Sequence, residues 1–262
     1  MAVPNVAETD ALANSADLAD RIDAAALAAD EGITIPPSNL WSDEPPLESD
    51  FHRDQIDLLI RILRHWWADR EDVYVSGNLT VYYNRQRIKT RDFRGPDFFV
   101  VLGTEKKDRR SWAVWDEQGK YPNLILEILS DSTKNVDKGL KKDLYQNTFR
   151  TPDYFWFDPY TFELQGFHLV DGRYEPIPAT AEGRLWSQQL GFYLGVWENR
   201  LRFFTAEGAL IPSPEELAQQ EHQRAEQEHQ RAEQERQRAE QAEQELAQLK
   251  AKLREQGIDL GP

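Results

Sequence analysis

The chain has 262 residues, enough for one sizeable domain with extensions, and its net charge of -15 is unusual for a protein that binds nucleic acid. It contains no cysteine, which excludes disulfides, thiolate metal sites and a cysteine nucleophile. No apolar run is long enough for a signal peptide or a membrane span, so we expect a cytoplasmic protein that does not associate with a membrane.

The first predicted region is an acidic tail. Residues 1–45 are rich in Ala and Asp and end in a Pro-rich stretch, which predicts a tail or linker with at most one weak helix. Most of the negative charge lies here, because residues 1–50 carry a net charge of -10 whereas residues 51–110 carry +4. Aromatic residues are concentrated between Phe51 and Phe204, so we place the globular domain within residues 46–212.

The domain is predicted to open with an amphipathic helix. Apolar residues recur at intervals of three and four over residues 51–69, which indicates one buried face. Two strands at 73–76 and 79–83 follow, and the dipeptide Gly77-Asn78 between them predicts a hairpin turn.

The next segments predict the centre of the sheet. Residues 97–103 and 123–130 are nearly continuous apolar runs, as in strands that are covered on both faces. A helix is expected over residues 137–148, and further strands are expected at the positions 154–158, 162–169 and 174–177. This order predicts an α/β or α+β fold, with a mixed central sheet flanked by helices.

Two carboxylates stand out in the apolar strands. Glu127 interrupts the run over 124–129, where an ionised carboxylate is costly unless it is paired or bound to a metal. If one face of the strand were exposed to solvent, an unpaired Glu127 there would need no functional explanation. Asp97 opens the preceding strand directly after Gly95-Pro96, so the two acids could lie side by side on neighbouring strands.

Several motifs follow in a fixed order along the middle of the chain: RGPD at 94–97, LILEILS at 124–130, then Thr133, Asp137, Lys141 and Tyr145, and PDYFWFDP at 152–159. Together they resemble the Uma-two (DUF820-like) family of restriction-endonuclease type, within the PD-(D/E)xK nuclease superfamily. The resemblance covers about residues 46–205. It implies a restriction-endonuclease-like fold and a metal-dependent endonuclease that hydrolyses DNA phosphodiester bonds.

The resemblance also implies a catalytic site. The superfamily pattern is an Asp followed, on the next strand, by an acid-x-Lys triplet. Asp97 and Glu127 match the two acids of this pattern. The triplet Glu127-Ile128-Leu129, however, lacks the lysine. In the family a lysine of the following helix takes its place, and Lys141 matches that position. Mg²⁺ or Mn²⁺ would then be held by Asp97, Glu127 and the carbonyl of Ile128. The alternative for Lys141 is an ordinary solvated lysine without a catalytic role.

Four further residues are weaker candidates. Glu48 and His52 lie near the start of the first helix and could add a metal contact, although surface positions would explain both. Asp137 is either the N-cap of its helix or a contact of Lys141. Lys142 is the alternative to Lys141 but points further towards solvent, and Tyr145 is expected to pack in the core.

Basic side chains precede and follow the Asp97 strand and could bind phosphates of a nucleic acid. The alternative is that they only make these loops soluble. These side chains are Arg85, Arg87, Lys89, Arg91 and Arg94 before the strand, and Lys106, Lys107, Arg109 and Arg110 after it.

The last region, residues 213–257, predicts a long polar helix. The heptapeptide EHQRAEQ at 221–227 is repeated at 228–234, and the period of seven is typical of a coiled coil. Only the last two heptads place apolar residues at both seam positions, so a solitary solvated helix and a homodimeric coiled coil both remain open.

The sequence supports three functional hypotheses. The first is an endonuclease acting on DNA, the second a catalytically silent relative that binds or assembles through its C-terminal helix, and the third a nuclease for RNA or branched DNA. Motifs of phosphate-binding loops and serine hydrolases are absent, and the five histidines are scattered. The fold alone cannot choose among the three.

Overall fold

A computed structural model of the chain describes residues 40, 42, 49–84, 93–130 and 137–255. The acidic tail predicted over residues 1–45 therefore lies almost entirely outside the described residues. The chain divides into two units, Met1–Ile211 and Pro212–Pro262.

Within its described residues, the first unit contains two helical segments and twelve strands. The helical segments are α1 at Asp50–Trp66, and α2, which has π-helical turns at Asp137–Lys141 and Tyr145–Phe149 on either side of a short α-helical stretch at Lys142–Leu144. The strands are β1 Val73–Ser76, β2 Val81–Tyr82, β3 Phe93–Arg94, β4 Phe98–Leu102, β5 Trp112–Ala113, β6 Leu124–Ile128, β7 Asp153–Phe157, β8 Leu164–Val170, β9 Arg173–Pro176, β10 Leu185–Ser187, β11 Phe192–Trp197 and β12 Arg200–Phe204.

Helix α1 forms as its sequence predicts. The hydroxyl of Ser49 caps it by accepting a hydrogen bond from the N–H of His52 at 3.2 Å, and Asp50 complements the helix dipole in the first turn. Its apolar face is buried against the central sheet through side chains that include Ile56, Leu59 and Leu63. The predicted amphipathic helix is confirmed to within a few residues at each end.

The central sheet has six strands in the order β1-β4-β6-β7-β8-β9. The pair β6–β7 is parallel and the other neighbours are antiparallel, so the predicted mixed sheet is confirmed. One face packs on α1 and on the sheet β10-β11-β12, and the other face carries an aromatic cluster to which α2 contributes. Strands β6 and β7 are buried along their whole length, which explains their nearly continuous apolar runs.

The predicted hairpin at Gly77-Asn78 is wrong. Strand β1 pairs with β4, whereas β2 belongs to a separate small sheet with β3 and β5. A Cβ atom at Gly77 would lie 2.3 Å from the backbone oxygen of Asp97, and the N–H of Asn78 donates to the backbone oxygens of Pro96 at 3.1 Å and Asp97 at 3.2 Å. Glycine is therefore required here for close backbone approach and not for a two-residue turn.

The sequence predicted no strand after residue 177, but the structure places β10, β11 and β12 there. Gly195 lies within β11 and the buried Arg202 lies within β12, so neither segment shows a regular apolar alternation in the sequence. Gln55 of α1 joins them to the domain, because its side-chain amide donates to the Leu201 oxygen at 2.9 Å and accepts from the Leu201 N–H at 3.0 Å. Trp67 also stacks on Phe192 at 5.8 Å between ring centroids.

The second unit contains helix α3 at Pro214–Glu255, which confirms the predicted long polar helix over the described residues. Ser213 and Glu216 form a capping box: the hydroxyl of Ser213 accepts from the Glu216 N–H at 3.2 Å, and the Glu216 carboxylate accepts from the Ser213 N–H at 2.7 Å. The coiled-coil partner stays a prediction. Among the described residues, no helix combines the length and apolar character needed to cross a membrane.

Candidate active site

Glu127 is completely buried on the face of β6 that α2 covers. One carboxylate oxygen, Oε2, accepts a hydrogen bond from the ammonium of Lys141 at 3.0 Å, and the other, Oε1, accepts from the hydroxyl of Tyr145 at 2.6 Å. Lys141 and Tyr145 are four residues apart, so they lie on the same face of α2. The buried charge predicted to need a partner has one, since Glu127 forms an ion pair with Lys141.

Asp97 lies beside Glu127 on the neighbouring strand. Residue pairing between β4 and β6 matches Phe98 with Leu126, which puts Asp97 opposite Glu127 just beyond the end of β4. The Asp97 carboxylate accepts from the Ile128 N–H at 2.7 Å, and the Asp97 N–H makes a longer contact of 3.4 Å with Oε2 of Glu127. The structure thus brings Asp97, Glu127 and Lys141 together at one end of the sheet.

His52 approaches the same place from α1. Its Nε2 lies 2.6 Å from the carbonyl oxygen of Ile128 and 3.9 Å from Oδ2 of Asp97. Because a carbonyl can only accept, the Nε2 atom carries the hydrogen in this contact. His52 therefore orients the carbonyl that the sequence predicted as a metal ligand, and the carbonyl oxygen, with two lone pairs, can accept a second partner.

The connection after β1 packs against the backbone of Asp97. A Cβ atom at Gly77 would lie 2.3 Å from the Asp97 oxygen and 2.6 Å from Cγ2 of Ile56, so helix α1, this connection and the Asp97 backbone meet at one point. The absence of a side chain at Gly77 lets these three segments pack. The dipeptide Gly77-Asn78 could have signalled this role in the sequence, but the same two residues are also typical of a hairpin.

Tyr145 has a polar contact that the sequence did not predict. It was expected to pack in the core, and it does so against Phe149 and Tyr154, but its hydroxyl also donates to Glu127. Its spacing of four from Lys141 was the available signal. A buried tyrosine hydroxyl normally finds a hydrogen-bond partner, and here the partner is the candidate catalytic carboxylate.

Of the weaker candidates, the structure describes the side chain of Lys142 and places it outside this cluster. Lys142 places its ammonium 3.4 Å from the centroid of the Phe167 ring, and desolvation lowers the pKa of this lysine although Asp143 opposes the shift. Glu48 lies outside the described residues. Asp137 begins α2, but its side chain is not among those that the structure describes.

The basic residues after β4 lie at the opposite end of that strand from Asp97. Asp97 precedes β4 and residues 106–110 follow it, so a five-residue strand of about 17 Å separates them. Lys106 donates to the oxygen of Ala68 at 2.8 Å, and Lys107 pairs with Glu105 at 3.0 Å. These contacts favour the alternative of soluble loops for this group, and phosphate binding by it stays a prediction.

Arg109, the most buried member of this group, has a structural role. Its guanidinium forms a buried ion pair with Glu117 at 2.6 Å and lies 4.6 Å from the Tyr74 ring centroid and 4.9 Å from that of Trp112. These contacts stabilise the domain through charge and cation–π interactions. Of the group before β4, residues 85–91 lie outside the described residues, and nothing is described of the side chain of Arg94.

The donor set of the cluster suits a hard divalent cation. In the described part of the chain, no three side chains of His, Asp or Glu are grouped so that they could hold a metal. Two carboxylates and a backbone carbonyl nevertheless fit Mg²⁺, which proteins usually bind through one or two carboxylates while water and substrate phosphates complete the shell. Asp97, Glu127 and Ile128 provide such oxygen atoms.

A family model of known proteins agrees with the motif series. A solved structure from Anabaena variabilis, described as a "putative nuclease belonging to DUF820", is similar at 13% sequence identity and a TM-score of 0.41, with 56% of this chain and 76% of that chain covered. No curated protein matches the sequence. The family model "Uma2: Putative restriction endonuclease" matches residues 39–206, well over half of the chain, and supports a nuclease function in general. The resemblance inferred from the motifs is thereby confirmed, and the chain belongs to the Uma2 family.

Proposed function

We propose that this protein is a metal-dependent endonuclease that hydrolyses phosphodiester bonds of DNA at the cluster of Asp97, Glu127 and Lys141. The observation that supports this most is the setting of Glu127, a fully buried carboxylate with the Lys141 ammonium 3.0 Å away and Asp97 on the adjacent strand. Membership of a family whose description reads "Putative restriction endonuclease" agrees with this chemistry.

The residues that would hold the cation are Asp97, Glu127 and Ile128, the last through its carbonyl. Hard oxygen donors favour Mg²⁺ or Mn²⁺ over softer metals. A divalent cation at this place would supply Lewis-acid polarisation of a phosphate oxygen and activation of water.

The protein's own groups would orient the site and stabilise charge. Lys141 would orient the attacking water or neutralise the charge that develops on the phosphoryl oxygens during the reaction. Tyr145 holds the Glu127 carboxylate in one orientation, and the N–H of Ile128 does the same for Asp97. His52 fixes the Ile128 carbonyl. Such preorganisation keeps the donors in place before substrate arrives.

The test is cleavage by the purified full-length chain. Labelled duplex, single-stranded and branched DNA, and RNA, are incubated with Mg²⁺, with Mn²⁺ and with EDTA. We expect cation-dependent cleavage that Asp97→Asn and Lys141→Ala abolish, whereas the matched control Lys142→Ala, whose ammonium lies on Phe167, retains it. Calorimetric titration of Mn²⁺ should show weaker binding for Asp97→Asn. The proposal is wrong if no substrate is cut and Asp97→Asn leaves the Mn²⁺ affinity unchanged.

A second candidate function is assembly without catalysis, and helix α3 favours it. This helix has 42 residues, and nearly all of its described side chains are exposed, including Leu246 at 52% and Leu249 at 55%. A homodimeric coiled coil would bury these leucines. Sedimentation of the full chain, compared with a Leu246→Glu, Leu249→Glu double variant, tests the assembly separately from cleavage.

A further inference from the structure

Two large aromatic side chains are exposed on the turn between β7 and β8. Tyr160 is 69% exposed and Phe162 is 40% exposed. The turn closes where the N–H of Asp158 donates to the oxygen of Glu163 at 2.9 Å. The Asp158 carboxylate accepts from the backbone N–H groups of Tyr160 at 2.9 Å and Thr161 at 3.2 Å, so the turn is held in one conformation.

The backbone of Phe162 is strained. Its φ of 59° lies in the left-handed region, which favours glycine and tolerates asparagine. Among the non-glycine residues that the structure describes with a positive φ, the others are all polar: Asn78, Gln118, Arg150, Asp171, Glu198 and Asn199. A bulky apolar residue that keeps such a conformation while its ring remains exposed points to a need for the ring itself.

This turn lies at the same end of the sheet as Glu127. In the parallel pair β6–β7, Glu127 is matched with Trp156, and the turn begins two residues after Trp156. Lys138 connects the two places, because its ammonium lies 3.8 Å from the Trp156 ring centroid and 3.8 Å from the Glu163 carboxylate. Lys138 is three residues before Lys141 on α2, so one helical turn reaches from the aromatic turn to the candidate active site.

We infer that Tyr160 and Phe162 form a stacking platform for unpaired bases of a nucleic-acid strand whose phosphate backbone passes Lys138 into the site at Glu127. This inference rests on the proposed nuclease function and specifies its substrate class. Exposed rings beside a cation bind single strands through base stacking and phosphate attraction. Inside a duplex the base faces are covered by their neighbours, and the protein reaches only phosphates, sugars and groove edges. The platform therefore selects DNA with a single-stranded segment over fully paired DNA.

The experiment measures binding and not cleavage. The full-length chain is titrated in EDTA against a fluorescent 16-nucleotide DNA strand and against the same sequence as a blunt duplex, and Kd is obtained by anisotropy. We expect tighter binding of the single strand, and about a tenfold higher Kd for it in each of Tyr160→Ala and Phe162→Ala. Phe162→Tyr, which retains an aromatic ring, should bind as the parent does. Trp197→Ala is the matched control, since this tryptophan is 46% exposed on β11.

The outcomes separate the platform from the nuclease. Unchanged single-strand binding in both alanine variants, equal losses for strand and duplex, or an equal loss in Trp197→Ala would overturn the inference. Cation-dependent duplex cleavage that Tyr160→Ala and Phe162→Ala leave intact, together with unchanged binding, would leave the proposed nuclease in place without the platform. Ring-dependent binding of the single strand without cleavage under any cation would support the platform and refute the nuclease.

Discussion

Glu127 and Asp153 are both fully buried carboxylates on the parallel pair β6–β7, and both accept a hydroxyl hydrogen bond at 2.6 Å. They lie at opposite ends, because Asp153 begins β7 opposite Leu124 whereas Glu127 is next to the last residue of β6. At the Glu127 end the carboxylate meets Lys141 and lies beside a second acid, Asp97. That second acid and the ammonium distinguish this end as a candidate active site.

The Asp153 end has a structural explanation. Its carboxylate contacts Nδ1 of His168 at 2.6 Å and accepts from the hydroxyl of Ser187 and, at 3.1 Å, from the N–H of Gln189. These contacts join β7 to β8 and to the sheet that contains β10. The residue types are those of a serine hydrolase, but the acid lies between serine and histidine, whereas catalysis needs histidine in the middle. Burial of an acid does not by itself indicate catalysis.

The largest expected effect is a difference in cleavage activity between substitutions of Glu127 and of Asp153. Glu127→Gln should lower the rate of cation-dependent cleavage about a hundredfold to a thousandfold, because it removes the charge beside Lys141 while nearly preserving shape. Asp153→Asn should change the rate by less than about twofold at a temperature where both variants are folded. Single-turnover kinetics measure both. Equal losses of activity would remove the distinction.

The second prediction concerns stability at the Asp153 end. Asp153→Ala leaves Ser187, His168 and the Gln189 N–H without their common partner, and we expect unfolding to become easier by about 3 kcal/mol. Urea denaturation followed by tryptophan fluorescence measures this change. The binding of Mn²⁺ should be unaffected. A loss below about 1 kcal/mol would mean that the network does not hold the two sheets together.

A smaller effect is expected for Gly77→Ala at the Glu127 end. The new methyl group would lie 2.3 Å from the Asp97 oxygen, so either the Asp97 backbone or α1 must shift. We expect cleavage to fall about tenfold, since displacement of a reacting group by about 1 Å is costly, and stability to fall by about 2 kcal/mol. Gly139→Ala is the control, because a methyl group there meets no atom within 4 Å. Normal cleavage by Gly77→Ala would show that Asp97 tolerates the displacement.

The smallest prediction is a pH effect on the turn of the stacking platform. Burial raises the pKa of Asp158, but hydrogen bonds from the N–H groups of Tyr160 and Thr161 and the charge of Lys138 outweigh it and hold the pKa below the ordinary value of 3.8. A carboxyl whose pKa is lowered on folding contributes stability above its unfolded pKa and loses it as the pH falls through the folded value. The parent should therefore melt slightly above Asp158→Asn at neutral pH. This difference should shrink as the pH falls through the lowered pKa of Asp158 and vanish once that carboxyl is protonated, which thermal melts at decreasing pH measure.

The parts of the fold that the sequence predicted depend on local patterns. The apolar runs of β4 and β6, the periodicity of α1 and the polar composition of α3 each lie within one segment, so they could be read without its neighbours. The resemblance of the motif series to a nuclease family implied that Asp97, Glu127 and Lys141 would lie close together, and the structure brings these three residues together. Their catalytic role stays a proposal.

Tertiary structure decided the contacts that join distant segments. His52 and Ile128 are 76 residues apart, and Gln55 and Leu201 are 146 apart, so no local pattern could assign these pairs. Gly77 is a second example in which the local sequence was insufficient. Gly77-Asn78 predicted that β1 and β2 form a hairpin, but β1 pairs with β4. The family resemblance of the motif series was sufficient to predict a candidate site at Asp97, Glu127 and Lys141. The contacts of His52, Tyr145 and Gly77 that support this site depend on how packed segments meet, and only the folded chain determines that.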